Sequence, residues 1–139
     1  SHRGPIIALA GGTGLAPILS IIRSSVNNKL KQPIKIYYGA QTEDDLYFKD
    51  VLNEIALKNK NIEFNSVVNI GKNNNNIRIG QVTDAVIEDI EDFDGYKAYL
   101  AGPPKMVETA EELFLSLGIR KIDMHSDAFY TSYEEARSK

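Results

Sequence analysis

Two short segments rich in glycine and proline have the composition expected where a protein backbone approaches a phosphate group. The first glycine turn, residues 11–17, reads Gly-Gly-Thr-Gly-Leu-Ala-Pro, and the second, residues 101–106, reads Ala-Gly-Pro-Pro-Lys-Met. Glycine lets the chain turn tightly and leaves its amides accessible, and proline fits a first helical turn, where its missing N–H is not needed. Each segment therefore predicts a turn from a strand into a helix, and the helix after the first segment has an N-terminus that can bind an anion.

Neither glycine turn matches the two most common phosphate-binding motifs. Pro17 stands where a dinucleotide fingerprint would have its third glycine, and the strand that ends near Tyr38 carries no acidic residue for a ribose. No Gly-Lys-Ser/Thr sequence occurs in the chain, which excludes a P-loop. Either segment alone could be only a tight turn, so the prediction of a site depends on both turns facing one crevice.

Apolar runs of strand length alternate with segments of helical periodicity along the chain. Strands are predicted at residues 6–10, 34–38, 62–68, 98–101 and 119–124, and helices at residues 15–26, 45–60, 82–90 and 106–117. This alternation predicts an α/β fold of three layers, a doubly wound, five-stranded parallel sheet of order 3-2-1-4-5. The first and fourth strands are then neighbours, so both glycine turns open at the switch point where such sheets bind ligands.

Composition excludes several classes of protein. The chain has 139 residues, 42% hydrophobic and 25% charged, which is typical of one globular domain, and no internal linker is apparent. A net charge of -3 argues against nucleic-acid binding. With 0 Cys and 2 His, no thiol chemistry, iron–sulfur cluster or other metal site is expected. The uncharged residues 4–22 are too interrupted by glycine and proline for a membrane span, so no membrane partner and a cytoplasmic location are predicted.

The two glycine turns and two further segments resemble, in order, the motifs of one family. The further segments are Tyr-Gly-Ala-Gln-Thr-Glu-Asp-Asp-Leu-Tyr at residues 38–47 and Asp-Ala-Phe-Tyr at residues 127–130. The four are similar to the successive motifs of the nicotinamide-nucleotide-binding domain of ferredoxin–NAD(P)+ reductase-type flavoenzymes, closest in kind to the reductase components of aromatic-ring dioxygenases. The resemblance covers essentially the whole chain and implies a Rossmann-like domain.

The resemblance implies an electron-transfer function for the protein to which this chain belongs. Hydride passes from NAD(P)H to FAD, and electrons then pass singly to a ferredoxin or an oxygenase. The family binds FAD mainly through a barrel with an Arg-x-Tyr-Ser type signature, which this sequence lacks. Residues 1–139 are therefore expected to be the C-terminal NAD(P)-binding part of a longer flavin reductase, able to bind nucleotide but to catalyse little alone. Hydride transfer requires positioning and no acid or base from the protein.

Site residues follow from the resemblance position by position. Thr13 is assigned to the reaction centre, since Gly12, Thr13 and Gly14 lie along the pyrophosphate and nicotinamide. Phe129 is the second catalytic assignment, because it matches the aromatic residue that covers the flavin ring and moves aside for nicotinamide. The implied cofactor-binding residues are Gly12, Thr13, Gly14, Leu15, Pro17, Gly39, Gln41, Asn69, Ala101, Gly102, Pro103, Met106 and Phe129.

Two positions depart from the family pattern and leave an alternative open. Gln41 stands where many relatives have Arg, and Ala101 stands where many have the Cys that helps to align the hydride. These departures motivate a second hypothesis, a non-catalytic nucleotide-binding or regulatory module of the same fold. A third hypothesis, a purely structural domain whose glycine segments are only turns, predicts no specific nucleotide affinity.

The residues after the third strand bear on the choice of nucleotide. Relatives that prefer NADPH place basic or hydroxyl side chains there, whereas this chain has Asn69 at the family's Ser position and Ile70 where an Arg would help. The nearest cations are Lys72 and Arg78, beside a run of four asparagines. The resemblance therefore favours NADH, with NADPH possible.

Overall fold

The described part of the chain forms a six-stranded parallel sheet with helices on both faces. The structure, a computed structural model, describes residues 4–72 and 77–128, and at Thr13 the backbone alone. The strands are β1 (Ile6–Gly11), β2 (Ile34–Ala40), β3 (Ile62–Val68), β4 (Ile77–Ile79), β5 (Lys97–Gly102) and β6 (Met124–Ala128). The helices are α1 (Leu15–Asn27), α2 (Lys49–Lys58), α3 (Val82–Asp89) and α4 (Pro104–Ser116). The strand order is β4-β3-β2-β1-β5-β6, and every pair is parallel.

Two cores, one on each face of the sheet, account for the continuous apolar strands. Because successive side chains of a strand point to opposite faces, Ile6 and Ala8 of β1 pack beneath α1 and α2, whereas Ile7 and Leu9 pack beneath α3 and α4. All six residues of β1 are buried. This arrangement confirms the doubly wound, three-layer α/β architecture predicted from the sequence.

The predicted number of strands was wrong by one. The sheet has an additional edge strand, β4, which pairs with Ser66–Val68 of β3. Three residues that follow an asparagine run are too short to show a strand pattern in the sequence. The predicted order 3-2-1-4-5 is retained in the five other strands, with β4 added beside β3.

Two element boundaries also differ from the prediction. Instead of one helix over residues 45–60, a 3-10 turn at Glu43–Asp45 precedes α2. The last strand begins at Met124, because Ile119 is a core side chain in the connection after α4 and not a strand residue. Ile122 is 77% exposed within the 3-10 turn Lys121–Asp123.

Residues 4–22 form a strand, a turn and a helix, as the glycines and prolines indicate. Among the residues that the structure describes, no helix has both the length and the apolar character needed to cross a membrane.

A three-residue polar network joins β2, β4 and α3. The Tyr37 hydroxyl donates to Asp89 Oδ2 at 2.8 Å, and the Arg78 guanidinium forms a bidentate ion pair with the same carboxylate, with 2.9 Å between Nη1 and Oδ2. Burial and the bond to Asp89 raise the pKa of Tyr37. Burial alone would raise the pKa of Asp89, but the bonds from Arg78 and Tyr37 outweigh it and hold that pKa below its ordinary value of 3.8. The network fixes the edge strand to the layer of helices.

Candidate nucleotide-binding site

The two glycine turns lie against each other at the carboxyl ends of β1 and β5. These strands are hydrogen-bonded neighbours, with Ala10 opposite Ala101. Gly14 is the residue before α1, and a Cβ added to it would overlap the carbonyl group of Ala101 and lie 2.6 Å from the Gly102 nitrogen. The close approach of backbone to backbone therefore requires glycine at position 14. The two turns are therefore neighbours at the same end of the sheet, as the sequence predicts.

Three glycines lie side by side across the end of the sheet and form what we term the glycine row, Gly39, Gly11 and Gly102. Gly39 of β2 is in register with Gly11 of β1, and a Cβ on Gly102 of β5 would lie 3.0 Å from the Gly11 oxygen. A Cβ on Gly39 would lie 3.0 Å from Cβ of Val82, and one on Gly102 would lie 2.6 Å from Cε of Met106. The row thus lets the first turns of α3 and α4 pack directly on the sheet.

The N-termini of α1 and α4 are suited to an anion. In the described part of the chain neither terminus has a side-chain cap, and the first turn of neither helix contains an acidic residue. By contrast, α2 and α3 carry Asp50 and Asp84 in their first turns. Backbone N–H groups that no side chain caps, together with the helix dipoles, offer positive potential beside the glycine turns. Lys105, in the first turn of α4, adds a cation there.

Further along the same edge, the loops after β2 and β3 are bonded to each other. The Ile70 N–H donates to the Gln41 carbonyl at 2.9 Å, the Asn69 N–H donates to the Ala40 carbonyl at 3.1 Å, and the Asn69 side-chain amide approaches Gln41 Oε1 at 3.4 Å. Three strand spacings, about 14 Å in all, separate β3 from β5. The residues predicted for the site therefore lie along the carboxyl ends of the strands, from β3 across to β5.

A groove of about 260 Å³, which we term the edge groove, opens beside the carboxyl ends of β2 and β3 and the first residue of β4. Its charged lining residues are Glu43, Asp44 and Lys72. Arg78 does not reach it, because Arg78 points to the opposite face, toward α3, and is paired with Asp89. The groove is lined by Thr42, Glu43, Asp44, Val68, Ile70, Gly71, Lys72 and Ile77.

Glu43 and Asp44 are the residues of this edge that the sequence interpretation missed. They lie in the 3-10 turn after β2, which is closed by a reciprocal capping box between Thr42 and Asp45. The sequence Thr-Glu-Asp-Asp carries that signal, since Ser/Thr followed three residues later by an acid is typical of a helix start. The sequence prediction instead began a long helix at residue 45 and so did not use this capping signal.

The remaining predicted site residues occupy different environments. Leu15 and Ala101 are each 1% exposed in the core beneath α1 and α2, so only their backbone groups face the turns. Pro17 and Pro103 are half-buried in or directly before the first turns of α1 and α4. The Thr13 side chain and all of Phe129 lie outside the described residues.

Comparisons with known proteins agree with this geometry. The family profile described as "Oxidoreductase NAD-binding domain" matches residues 8–112. The chain is 40% identical over 132 residues to the reductase component of the naphthalene 1,2-dioxygenase/salicylate 5-hydroxylase systems of Ralstonia sp, covering 95% of this chain and 40% of that protein. It is 36% identical to a probable flavin reductase of Vibrio harveyi, covering 90% of this chain and 54% of that protein.

A solved structure shows the same fold. The Amycolatopsis cytochrome P450 reductase GcoB superposes with a TM-score of 0.84 at 29% identity, covering 93% of this chain and 38% of that one. The fold is an α/β domain with its paired glycine turns at the switch point of the sheet. The chain belongs to the oxidoreductase NAD-binding domain family. It spans about two fifths to one half of the length of the relatives described.

Proposed function

We propose that this chain binds NADH and positions it for hydride transfer to FAD held by a flavin domain outside this sequence, and that electrons then pass to a ferredoxin or an oxygenase in the cytoplasm. The observation that carries the proposal is the contact between the two glycine turns. That contact brings together, at the switch point of the sheet, two helix N-termini for which the described residues include no side-chain cap and no acid in the first turn.

The residues of this chain contribute binding and orientation. The backbone amides at the starts of α1 and α4 hold the pyrophosphate, and the glycines leave room for it to approach. Ala101, whose methyl group is buried, contributes only its backbone near the nicotinamide. Thr13 and Phe129 complete the proposed reaction centre. FAD supplies the hydride acceptor when it is bound by its own domain, and holding the nicotinamide still relative to that acceptor is what this chain provides.

The charges of the edge groove support NADH over NADPH. Of the described lining residues, Glu43 and Asp44 are acidic and Lys72 is basic. Glu43 also forms an ion pair with Lys49, 3.2 Å from Oε1 to Nζ, and the ion pair with Asp89 holds Arg78 away from the groove. The intervening residues 73–76 are all Asn and add no charge. A 2′-phosphate would bring about two further negative charges to this edge, which like-charge repulsion disfavours.

Neutralising the groove is expected to shift the preference toward NADPH. In the double variant Glu43→Gln/Asp44→Asn, the ratio of the NADPH and NADH dissociation constants should fall about tenfold, since weakening each like-charge contact contributes a fraction of 1 kcal/mol to about 1 kcal/mol. Calorimetric titration with both nucleotides measures the ratio. Glu88→Gln/Glu91→Gln, which changes the net charge equally but lies outside the groove, should leave the ratio unchanged. An unchanged ratio in the groove variant would show that Glu43 and Asp44 do not contribute to the choice between NADH and NADPH.

The proposed reaction is tested in the complete protein. The coding sequence upstream of Ser1 should encode a flavin-binding barrel, and the complete product should show anaerobic bleaching of its flavin on mixing with NADH. The non-catalytic alternative, favoured by Gln41 and by Ala101, predicts that NADH binds and that the flavin stays oxidised. Absence of a flavin-binding barrel upstream would refute the reductase proposal and leave nucleotide binding alone.

A further inference from the structure

We infer that Met106 is a positioning residue of the nucleotide site, which fixes the spacing of the two glycine turns by filling the space over Gly11 and Gly102. The inference rests on the proposed function, because its consequence is measured as nucleotide affinity. It assigns Met106 a role behind the turns, in place of the direct cofactor contact implied by the family resemblance.

The side chain of Met106 fills space that two neighbouring glycines leave open. A Cβ on Gly11 would overlap Sδ of Met106 and lie 3.2 Å from its Cε, and a Cβ on Gly102 would lie 2.6 Å from that Cε. The thioether therefore spans β1 and β5 at the last residue of each strand, Gly11 and Gly102. A flexible, unbranched side chain suits this irregular gap.

The same side chain packs against the core on the α4 side of the sheet. Met106 is half-buried and packs against the cluster that contains Val107, Ala110 and Phe114 of α4. It lies in the first turn of α4, so it couples the start of that helix to the end of β1. Truncating it would leave a gap over the turns, and misplacement of binding groups by about 1 Å is enough to weaken a ligand held by several backbone donors.

Gly11 offers a compensation test, because its backbone does not itself require glycine. Its φ of -139° and ψ of 144° are extended values that alanine adopts without strain. The atoms nearest to an added Cβ are Sδ and Cε of Met106, followed by Pro103 Cδ at 3.5 Å, an ordinary contact. Gly11→Ala alone should thus displace Met106, whereas Gly11→Ala/Met106→Ala should accommodate the new methyl group.

The experiment measures NADH and ADP-ribose affinity for a set of variants of this chain at a temperature where each is folded. Met106→Ala and Gly11→Ala should each weaken binding about tenfold, and the double variant should bind within about threefold of the original chain. Met106→Leu, a volume-conserving change, should also remain within about threefold. In Gly102→Ala, binding should not be restored by Met106→Ala, because the Gly11 backbone also lies 3.0 Å from the added Cβ.

A matched variant separates positioning from general stability. Val107→Ala, at the next residue of α4 and 2% exposed in the same core, should lower the melting temperature without changing NADH affinity. Without any ligand, Met106→Ala should accelerate amide hydrogen exchange at Gly12 and Leu15, and the double variant should reverse this.

Unchanged affinity in Met106→Ala, or a double variant that binds no better than Gly11→Ala, would overturn the inference. Failure of the original chain to bind either nucleotide would instead refute the proposed function. In that case the ligand-free exchange at Gly12 and Leu15 still decides the role of Met106.

Discussion

Replacing Gly14 by alanine is expected to abolish measurable NADH binding and to lower the free energy of unfolding by about 3 kcal/mol. The φ of -68° at Gly14 is one that alanine adopts readily, so the effect comes from packing alone. The added Cβ would overlap the Ala101 carbonyl group and approach the Gly102 nitrogen, both of which are backbone atoms of a buried strand. Neither can move without separating the two glycine turns. Thermal unfolding and nucleotide titration measure the two effects.

Gly118→Ala is the control for this prediction. Gly118 follows α4 with a φ of 109°, and among the described residues, its two chain neighbours aside, no atom lies within 4 Å of an added Cβ. Alanine there should cost about 1 kcal/mol through backbone strain while leaving NADH affinity unchanged. Retention of NADH binding by a folded Gly14→Ala chain would show that the contact between the turns is not part of the site.

Replacing Asp89 by asparagine is expected to lower the free energy of unfolding by about 2 kcal/mol at neutral pH. The substitution removes the charge that Arg78 pairs with and weakens the acceptor of the buried Tyr37 hydroxyl. Loosening of β4 and α3 should follow, since the network joins them to β2. Chemical denaturation of both chains gives the difference.

The pH dependence of that difference follows from the pKa of Asp89. Because the pKa in the folded chain lies below the ordinary value of 3.8, the stabilisation is fully present above pH 3.8 and is lost as the pH falls through the lowered folded value. The free energies of unfolding of the original chain and of the Asp89→Asn variant should therefore converge below pH 3.8. Glu88→Gln, the exposed neighbour on α3, is the control and should leave the free energy of unfolding at neutral pH within about 0.5 kcal/mol of that of the original chain. A difference that stays constant into the acid range would contradict this account of the network.

The central fold was predictable because its strands are buried on both faces. The uninterrupted apolar run that became β1, followed by glycines and a helical pattern, predicts a parallel strand leading into a crossover helix. The same succession of apolar strand, glycine turn and helix occurs at β5. The two occurrences together predict the switch point and the paired turns. The membership in the oxidoreductase NAD-binding domain family, indicated by the resemblance of the motifs, is confirmed.

What the sequence did not reveal depends on contacts between residues distant in the chain. β4 is a strand only because β3 offers it an edge, so its three residues carry no pattern of their own. Arg78, a candidate phosphate ligand by its position in the sequence, is directed to Asp89 by the pleat of that strand. Ile119 has the composition of a strand residue but is buried beside α4. The glycine row across β2, β1 and β5 likewise becomes visible only when the strands are in register.

Protein-observed NMR titration of this chain with NADH, NADPH and ADP-ribose tests the central claim most directly. The account predicts saturable shifts at the Gly12, Gly14 and Gly102 amides with NADH and with ADP-ribose, and weaker binding of NADPH. Shifts at Lys72 with a preference for NADPH would keep the site and overturn the choice of nucleotide. No saturable shift at the glycine turns with any of the three ligands would contradict the account, because the paired turns would then be structural only.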